Sequence, residues 1–97
     1  MSIGGKGVIS VLSNMSVKDV RAIVDPATKG DFATAAKEHV RLFKLMKKMF
    51  MEPNPVPCKY CLSQLGRMEP MVRLPLVPAS ESTKAELDAL LTEYGFK

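Results

Sequence analysis

One segment of this sequence has the composition of a buried β-strand, and no other segment offers it a partner. Gly7–Leu12 is mostly β-branched or aliphatic, and glycines precede it at positions 4 and 5. Because both of its faces are apolar, the segment is typical of a strand buried between two layers. The nearest alternative, Val72–Val77, is interrupted by Pro75. A single strand cannot form a sheet, so the rest of the core must be helical.

Helix start and stop signals divide the remaining sequence into four helical segments. Ser16 and Ser80 are placed as N-caps, Asp31 can cap another helix, and Gly66 and Gly95 are placed as terminators. We therefore predict a mainly α fold, a small bundle of four helical segments preceded by one short strand. The predicted helices run from Val17 to a kink or end at Pro26, from Phe32 to about Met51, from Pro57 to about Leu65, and from Ser80 to about Tyr94.

The second predicted helix has the clearest amphipathic pattern. Its predicted inner face carries Phe32, Ala36, His39, Phe43, Met46 and Phe50, and a basic row of Lys37, Arg41, Lys44 and Lys48 lies almost opposite. The basic row is suited to nucleic acid or an anionic membrane, but a solvated outer face explains it better. The methionines, including Met46, Met49, Met51, Met68 and Met71, are predicted to fill gaps in the core rather than to form a binding groove.

Two sequence features carry possible chemistry. Cys58 and Cys61 have the spacing of a redox pair, but they follow a proline-rich crossing instead of a strand, and there is no second pair to complete a zinc site. Packing of two small apolar residues on a short helix is the simpler interpretation. His39 is the only histidine, and its place on the predicted inner face indicates a core residue rather than a catalytic one.

Composition excludes several classes of function. The net charge is +4, yet aromatic residues make up only 6% of the 97 residues and Trp is absent, which disfavours a nucleic-acid module. No apolar run approaches the roughly 18 residues of a membrane span, and no secretory signal is visible, so we expect a cytoplasmic protein. There is no paired-carboxylate site, phosphate loop or cofactor motif. We therefore expect no metal, cofactor, nucleic acid or membrane partner.

Several stretches together resemble dihydrodipicolinate synthase (4-hydroxy-tetrahydrodipicolinate synthase), of the class I aldolase and N-acetylneuraminate lyase superfamily. The resemblance runs in order over essentially the whole chain. Its segments are Gly4-Gly5-Lys6-Gly7-Val8-Ile9-Ser10-Val11 with Asn14, Gly30-Asp31-Phe32-Ala33, Glu52-Pro53-Asn54-Pro55-Val56-Pro57-Cys58-Lys59, and Leu65-Gly66 through Arg73-Leu74-Pro75-Leu76.

This resemblance implies the last strand and the C-terminal helices of a (β/α)8 barrel. Residues 1–14 would be the last strand and its loop, residues 15–52 two helices, and residues 53–97 a C-terminal helical extension, all within a single C-terminal fragment. Members of this family join pyruvate to aspartate semialdehyde in lysine biosynthesis, usually as homotetramers. They hold pyruvate as a Schiff base on a lysine that must be neutral to react.

The resemblance places almost none of the family's catalytic residues in this chain. The Schiff-base lysine, the proton-shuttling tyrosine and their neighbours would lie upstream of Met1, and Lys6 and Lys59 match other family positions. Only Ile9 matches a substrate contact, made by its backbone to pyruvate at the carboxyl end of the last strand. We therefore expect the fragment alone to be inactive. A truncated gene, a cloned fragment and a proteolytic remnant all remain open as its origin.

A second hypothesis, from a different class, is a stand-alone helical module that self-associates without catalysis. Without a barrel, the apolar Gly7–Leu12 segment and the inner faces of the first two helices lack partners, and exposed apolar patches favour association. We accordingly expect a homo-oligomer, or binding to the upstream barrel segment if that segment is made separately.

Overall fold

A computed structural model describes all residues from 1 to 97 and contains four α-helices. They are α1 (Val17–Thr28), α2 (Phe32–Lys48), α3 (Val56–Gln64) and α4 (Glu81–Glu93). A short 3-10 turn, Leu12–Asn14, precedes α1. The mainly helical fold and the four predicted helices are thus confirmed. None of the four helices combines the length and the apolar composition of a membrane span.

The segment Gly7–Leu12 does not form the predicted strand. Residues 5–10 have no regular secondary structure, and the segment enters the 3-10 turn at Leu12. The physical reason is the missing neighbour, because a strand is stabilised by the hydrogen bonds it makes with a second strand. The strand prediction is therefore wrong for these 97 residues, in which no second segment pairs with residues 7–12.

Local capping determines where the helices begin. The Ser16 hydroxyl accepts a hydrogen bond from Asp19 N at 3.4 Å, and Asp31 Oδ1 accepts one from Thr34 N at 3.0 Å. The Ser80 hydroxyl accepts from Thr83 N at 3.4 Å. These three predicted caps are confirmed, and each satisfies an N–H group that the first helical turn leaves unpaired.

Pro26 does not end α1, which continues to Thr28. A proline removes only its own N–H from the helical ladder, and here it lies in the last turn, where little helix remains to be disrupted. The Thr28 hydroxyl also donates to the carbonyl of Val24 at 2.9 Å. An end of the helix at this proline, one of the two predicted outcomes, was therefore wrong by about one turn.

The chain divides into two compact units, residues 1–46 and residues 47–97. In the first unit α1 packs against the 3-10 turn, and Leu12, Met15, Val20, Ala27, Ala35, Leu42 and Leu45 are buried. In the second unit α3 packs against α4. Its buried residues include Met49, Val56, Cys58, Cys61, Ala79 and the predicted inner residues of α4, Leu87, Leu90 and Leu91.

The buried face of α2 differs from the predicted one. Ala35, Leu42 and Leu45 are buried, whereas Phe32 and Phe43 remain about half exposed at 48% and 53%. The buried row lies about 95° around the helix from the predicted aromatic row. Helix α2 carries two apolar rows, and the aliphatic row is the one that packs.

Candidate functional site

Residues 5–9 contain the predicted pyruvate contact and have an unpaired backbone. Gly4 precedes them at φ +92, with its N–H donating to Met1 O at 3.0 Å, and no backbone hydrogen bond involves residues 5–9. The side chain of Ile9 is fully exposed and that of Val8 is 62% exposed. The main chain around Ile9 is therefore free to pair with another strand or with a small polar molecule.

An apolar groove of about 310 Å³ lies beside this segment. Its lining comprises Met1, Gly7, Val8 and Ser10 from the N-terminal segment, Val20, Ile23 and Val24 from α1, and His39 and Met46 from α2. His39 is the only titratable side chain in that set. The groove is thus suited to an apolar side chain and has no acid–base pair for catalysis.

His39 is exposed, not buried in the core as predicted. Its ring lies 6.0 Å from that of Phe43, with the planes tilted by 52°. The prediction was wrong because His39 belongs to the exposed aromatic row of α2. No group of three or more His, Cys, Asp or Glu side chains is arranged to hold a metal ion.

An ionic network links α1 to α2 next to the groove. Arg41 Nη2 lies 2.7 Å from Asp19 Oδ1, its Nε lies 2.8 Å from Glu38 Oε2, and the Ser16 hydroxyl donates to Asp19 Oδ2 at 2.7 Å. Partial burial opposes ionisation of Asp19, but the hydrogen bonds from Arg41 and Ser16 outweigh it and hold the pKa of that carboxyl below its usual value. This network orients α1 beside α2 and offers no reactive group.

The predicted basic row of α2 is partly used in ion pairs. Arg41 binds Asp19 and Glu38, and Lys48 pairs with Glu86. Lys37 and Lys44 are exposed. Because at least two of the four cations face carboxylates, the row does not present a continuous positive surface, which favours the solvated outer face over a nucleic-acid or membrane surface.

Cys58 and Cys61 form no disulfide, and both side chains are buried in α3. Burial raises the pKa of Cys58, and burial together with the neighbouring Cys58 and Asp88 raises the pKa of Cys61 to about 12. A redox or nucleophilic cysteine needs a thiolate, which requires a lowered pKa and some exposure. The geometry therefore favours the packing interpretation of this pair.

The second unit contains two polar contacts that sequence analysis did not anticipate. Glu52 Oε1 accepts hydrogen bonds from Ser80 N at 3.0 Å and from the Ser80 hydroxyl at 2.8 Å. The Tyr60 hydroxyl donates to Asp88 Oδ2 at 3.0 Å. These pairs are 28 residues apart, and only the N-cap role of Ser80 has a local sequence signal. The Glu52–Ser80 contact stabilises the N-terminus of α4, and the Tyr60–Asp88 contact joins α4 to α3.

Comparison with known sequences identifies the relatives of this chain. The model of the Dihydrodipicolinate synthetase family matches residues 1–94. The 4-hydroxy-tetrahydrodipicolinate synthase of Chloroherpeton thalassium is 45% identical over 95 residues, which cover 98% of this chain and 32% of that protein. The enzyme of Methanocaldococcus jannaschii is 44% identical over 95 residues, covering 98% of this chain and 33% of that protein.

Solved structures agree with the sequence comparison. Dihydrodipicolinate synthase from Thermotoga maritima matches with a TM-score of 0.94 and 41% identity over 99% of this chain and 32% of its own. A variant described as the first monomeric dihydrodipicolinate synthase matches with a TM-score of 0.91 and 41% identity over 97% of this chain and 31% of its own. The chain thus spans about a third of the length of the relatives it matches.

Proposed function

This chain belongs to the dihydrodipicolinate synthetase family, and on that premise we propose that it supplies the C-terminal third of a 4-hydroxy-tetrahydrodipicolinate synthase. The complete enzyme would condense pyruvate with aspartate semialdehyde in lysine biosynthesis, in the cytoplasm, as a homo-oligomer. The observation that carries this proposal is the family match over residues 1–94 together with curated relatives that are about three times as long. In this arrangement residues 1–14 are the last barrel strand and its loop, residues 15–52 two helices, and residues 53–97 the C-terminal extension.

Ile9 is the residue of this chain that we assign to substrate. We propose that its main chain contacts pyruvate at the end of the last strand. The unpaired backbone of residues 5–9 supports this role, because a main-chain contact needs a free N–H or C=O group. The exposed side chain of Ile9 points to packing against the missing barrel instead. Ile9→Val and Ile9→Ala in the complete enzyme are then expected to leave the KM for pyruvate essentially unchanged.

The 97 residues alone are proposed to be inactive. A Schiff-base lysine is kept neutral by burial or by a cationic neighbour. None of the lysines in this chain is buried, and Lys59, one of the least exposed, donates to the main-chain carbonyl of Met71. Lys97 lies 3.5 Å from Asp88, which accepts a hydrogen bond from the Tyr60 hydroxyl, but Lys97 is exposed. It therefore lacks the burial that Schiff-base chemistry uses, which supports the absence of aldolase chemistry in this third.

A chimera tests the proposal. The C-terminal third of the full-length Chloroherpeton thalassium relative is replaced by these 97 residues, and both the chimera and the isolated chain are treated with pyruvate and borohydride. The chimera is expected to condense the two substrates and to gain the mass of a reduced pyruvyl adduct, whereas the isolated chain gains none. An adduct on the isolated chain, or a folded chimera that neither traps pyruvate nor condenses the substrates, would contradict the proposal.

Self-association is the second candidate function, and one observation favours it. Residues 5–9 combine an unpaired backbone with exposed Val8 and Ile9 side chains, as an unprotected strand edge does. In this alternative the segment pairs with a second copy of the chain. Light scattering of the isolated chain at high micromolar concentration decides it, because a strictly monomeric mass would exclude such a module.

A further inference from the structure

A proline-rich connection in the second unit displays large apolar side chains to solvent. Residues 67–78, here called the proline strap, join α3 to α4 and contain prolines at positions 70, 75 and 78. Met71 is 75% exposed, Leu74 86% and Val77 60%. Met68 is exposed as well, so the prediction that the methionines fill the core was wrong for Met68 and Met71. Met71, Leu74 and Val77 are spaced three residues apart, so exposed apolar side chains recur regularly along the strap.

The proline strap is nevertheless held in place along its length. Arg67 N donates to Leu62 O at 3.0 Å, the Lys59 ammonium donates to the Met71 carbonyl, and Leu76 N donates to Arg73 O at 3.1 Å. The next residue after the strap, Ala79, is buried. Fixing the backbone in advance reduces the entropy that a binding event must remove. The strap is therefore a preorganised surface that presents Met71, Leu74 and Val77.

The chemistry of the proline strap selects the mode of binding. Proline has no backbone N–H, which strand pairing requires. The strap is therefore poorly suited to pair as a strand with a second copy of this chain. Its binding energy must come from apolar side chains entering apolar pockets. A surface that binds through apolar side chains, without strand pairing, is suited to packing against a large folded partner.

We propose that the proline strap is a docking surface for the preceding two thirds of the family polypeptide, with Leu74 as its central contact. This inference rests on the proposed function, which makes the chain one part of a longer polypeptide. Within one polypeptide the preceding part is present at a high effective concentration, whereas a second copy must be recruited from solution. Under the proposed function, the occupant of the strap is therefore the preceding part of the same polypeptide.

The test uses the same chimera and the isolated chain, each with matched substitutions. Leu74→Asp places a carboxylate on the strap, Leu74→Ala truncates the side chain, and Ala89→Asp places a carboxylate on the exposed face of α4 in the same unit. In the isolated chain all three variants should melt close to the parent chain. In the chimera Leu74→Asp should lower the Tm by about 5 °C or more, Leu74→Ala by less, and Ala89→Asp by about 1 °C.

A second measurement needs no variant. Hydrogen peroxide should oxidise Met71 rapidly in the isolated chain and at least about tenfold more slowly in the chimera, because only an exposed thioether reacts readily. Equal melting of the Leu74 and Ala89 variants in the chimera, or equal oxidation of Met71 in both proteins, would overturn the proposal. A dimer of the isolated chain that Leu74→Asp dissociates would assign the strap to a second copy instead. A failure of the proposed function is distinguishable from these outcomes, because it would give a folded chimera that does not condense the two substrates.

Discussion

Glu52 and Ser80 join two parts of the second unit through a doubly hydrogen-bonded contact. One carboxylate oxygen of Glu52 accepts from the main-chain N–H of Ser80 at 3.0 Å and from its hydroxyl at 2.8 Å. Ser80 is the N-cap of α4, so the proline-rich crossing that contains Glu52 fixes the start of that helix. A carboxylate at a helix N-terminus also interacts favourably with the helix dipole.

Glu52→Gln is expected to destabilise the chain at neutral pH. The main-chain N–H of Ser80, with the hydroxyls of Thr83 and Ser80, lowers the pKa of Glu52. A carboxyl with a lowered folded-state pKa stabilises the fold above its unfolded pKa, and that contribution is lost as the pH falls through the folded value. Urea unfolding at several pH values should therefore show a gap between parent and variant at pH 7 that closes in acid. A gap that persists unchanged in acid would exclude the charge as its cause.

Ser80→Ala removes the cap itself and should cost about 0.5–2 kcal/mol of unfolding free energy. Urea denaturation measures this value, and Ser82→Ala on the same first turn is the comparison. Ser82 is exposed, and its hydroxyl lies 3.2 Å from the Ser80 hydroxyl but caps no backbone N–H. Equal effects of the two substitutions would show that the Ser80 hydroxyl contributes nothing specific as a cap.

Tyr60 is expected to ionise late and to stabilise the contact between α3 and α4. Burial, with the hydrogen bond to Asp88 as the next contribution, raises the pKa of Tyr60 to about 12. Because the folded-state pKa is raised, this stabilisation is complete below the usual tyrosine pKa of about 10 and is lost as the pH rises through the folded value. Ultraviolet titration should show one late tyrosine that Tyr60→Phe removes, and the same variant should lose about 1 kcal/mol of stability at pH 7. Titration of Tyr60 near pH 10 would refute the prediction.

The parts of this fold that the sequence predicts correctly are those set by neighbouring residues. Ser16, Asp31 and Ser80 cap their helices through hydrogen bonds that span three residues, so a local pattern is sufficient to find them. The prediction of a strand at Gly7–Leu12 was wrong for the opposite reason, because a strand depends on a second segment and no segment of this chain pairs with it. The assignment of Ile9 to pyruvate came from the family resemblance alone, and it stays a prediction.

Contacts distant in sequence explain the remaining differences. Glu52 meets Ser80 and Tyr60 meets Asp88 across 28 residues each, and no periodicity reports such pairs. Helical periodicity also failed to choose between the two apolar rows of α2. It ranks rows by their width and hydrophobicity, but the neighbouring elements decide which row becomes buried.

Cys58 and Cys61 are expected to behave as packing residues. Since burial raises the pKa of both thiols, iodoacetamide at pH 8 should alkylate them slowly in the folded chain and rapidly in concentrated guanidinium chloride. Mass spectrometry of the folded protein after mild oxidation should find no disulfide between them. Rapid alkylation of Cys58 in the folded chain would instead revive a redox role for the pair.

The two apolar rows of α2 give opposite predictions for adjacent residues. Leu42 is fully buried, so Leu42→Ala leaves a cavity and should cost about 2–5 kcal/mol of unfolding free energy. Phe43 is 53% exposed in this chain, so Phe43→Ala should cost less than about 1 kcal/mol although it removes a larger side chain. Urea denaturation of the two variants measures both values under identical conditions. Since the amphipathic pattern alone places Phe43 inward, a larger loss for Phe43→Ala than for Leu42→Ala would restore the sequence-based face and reject the structural one.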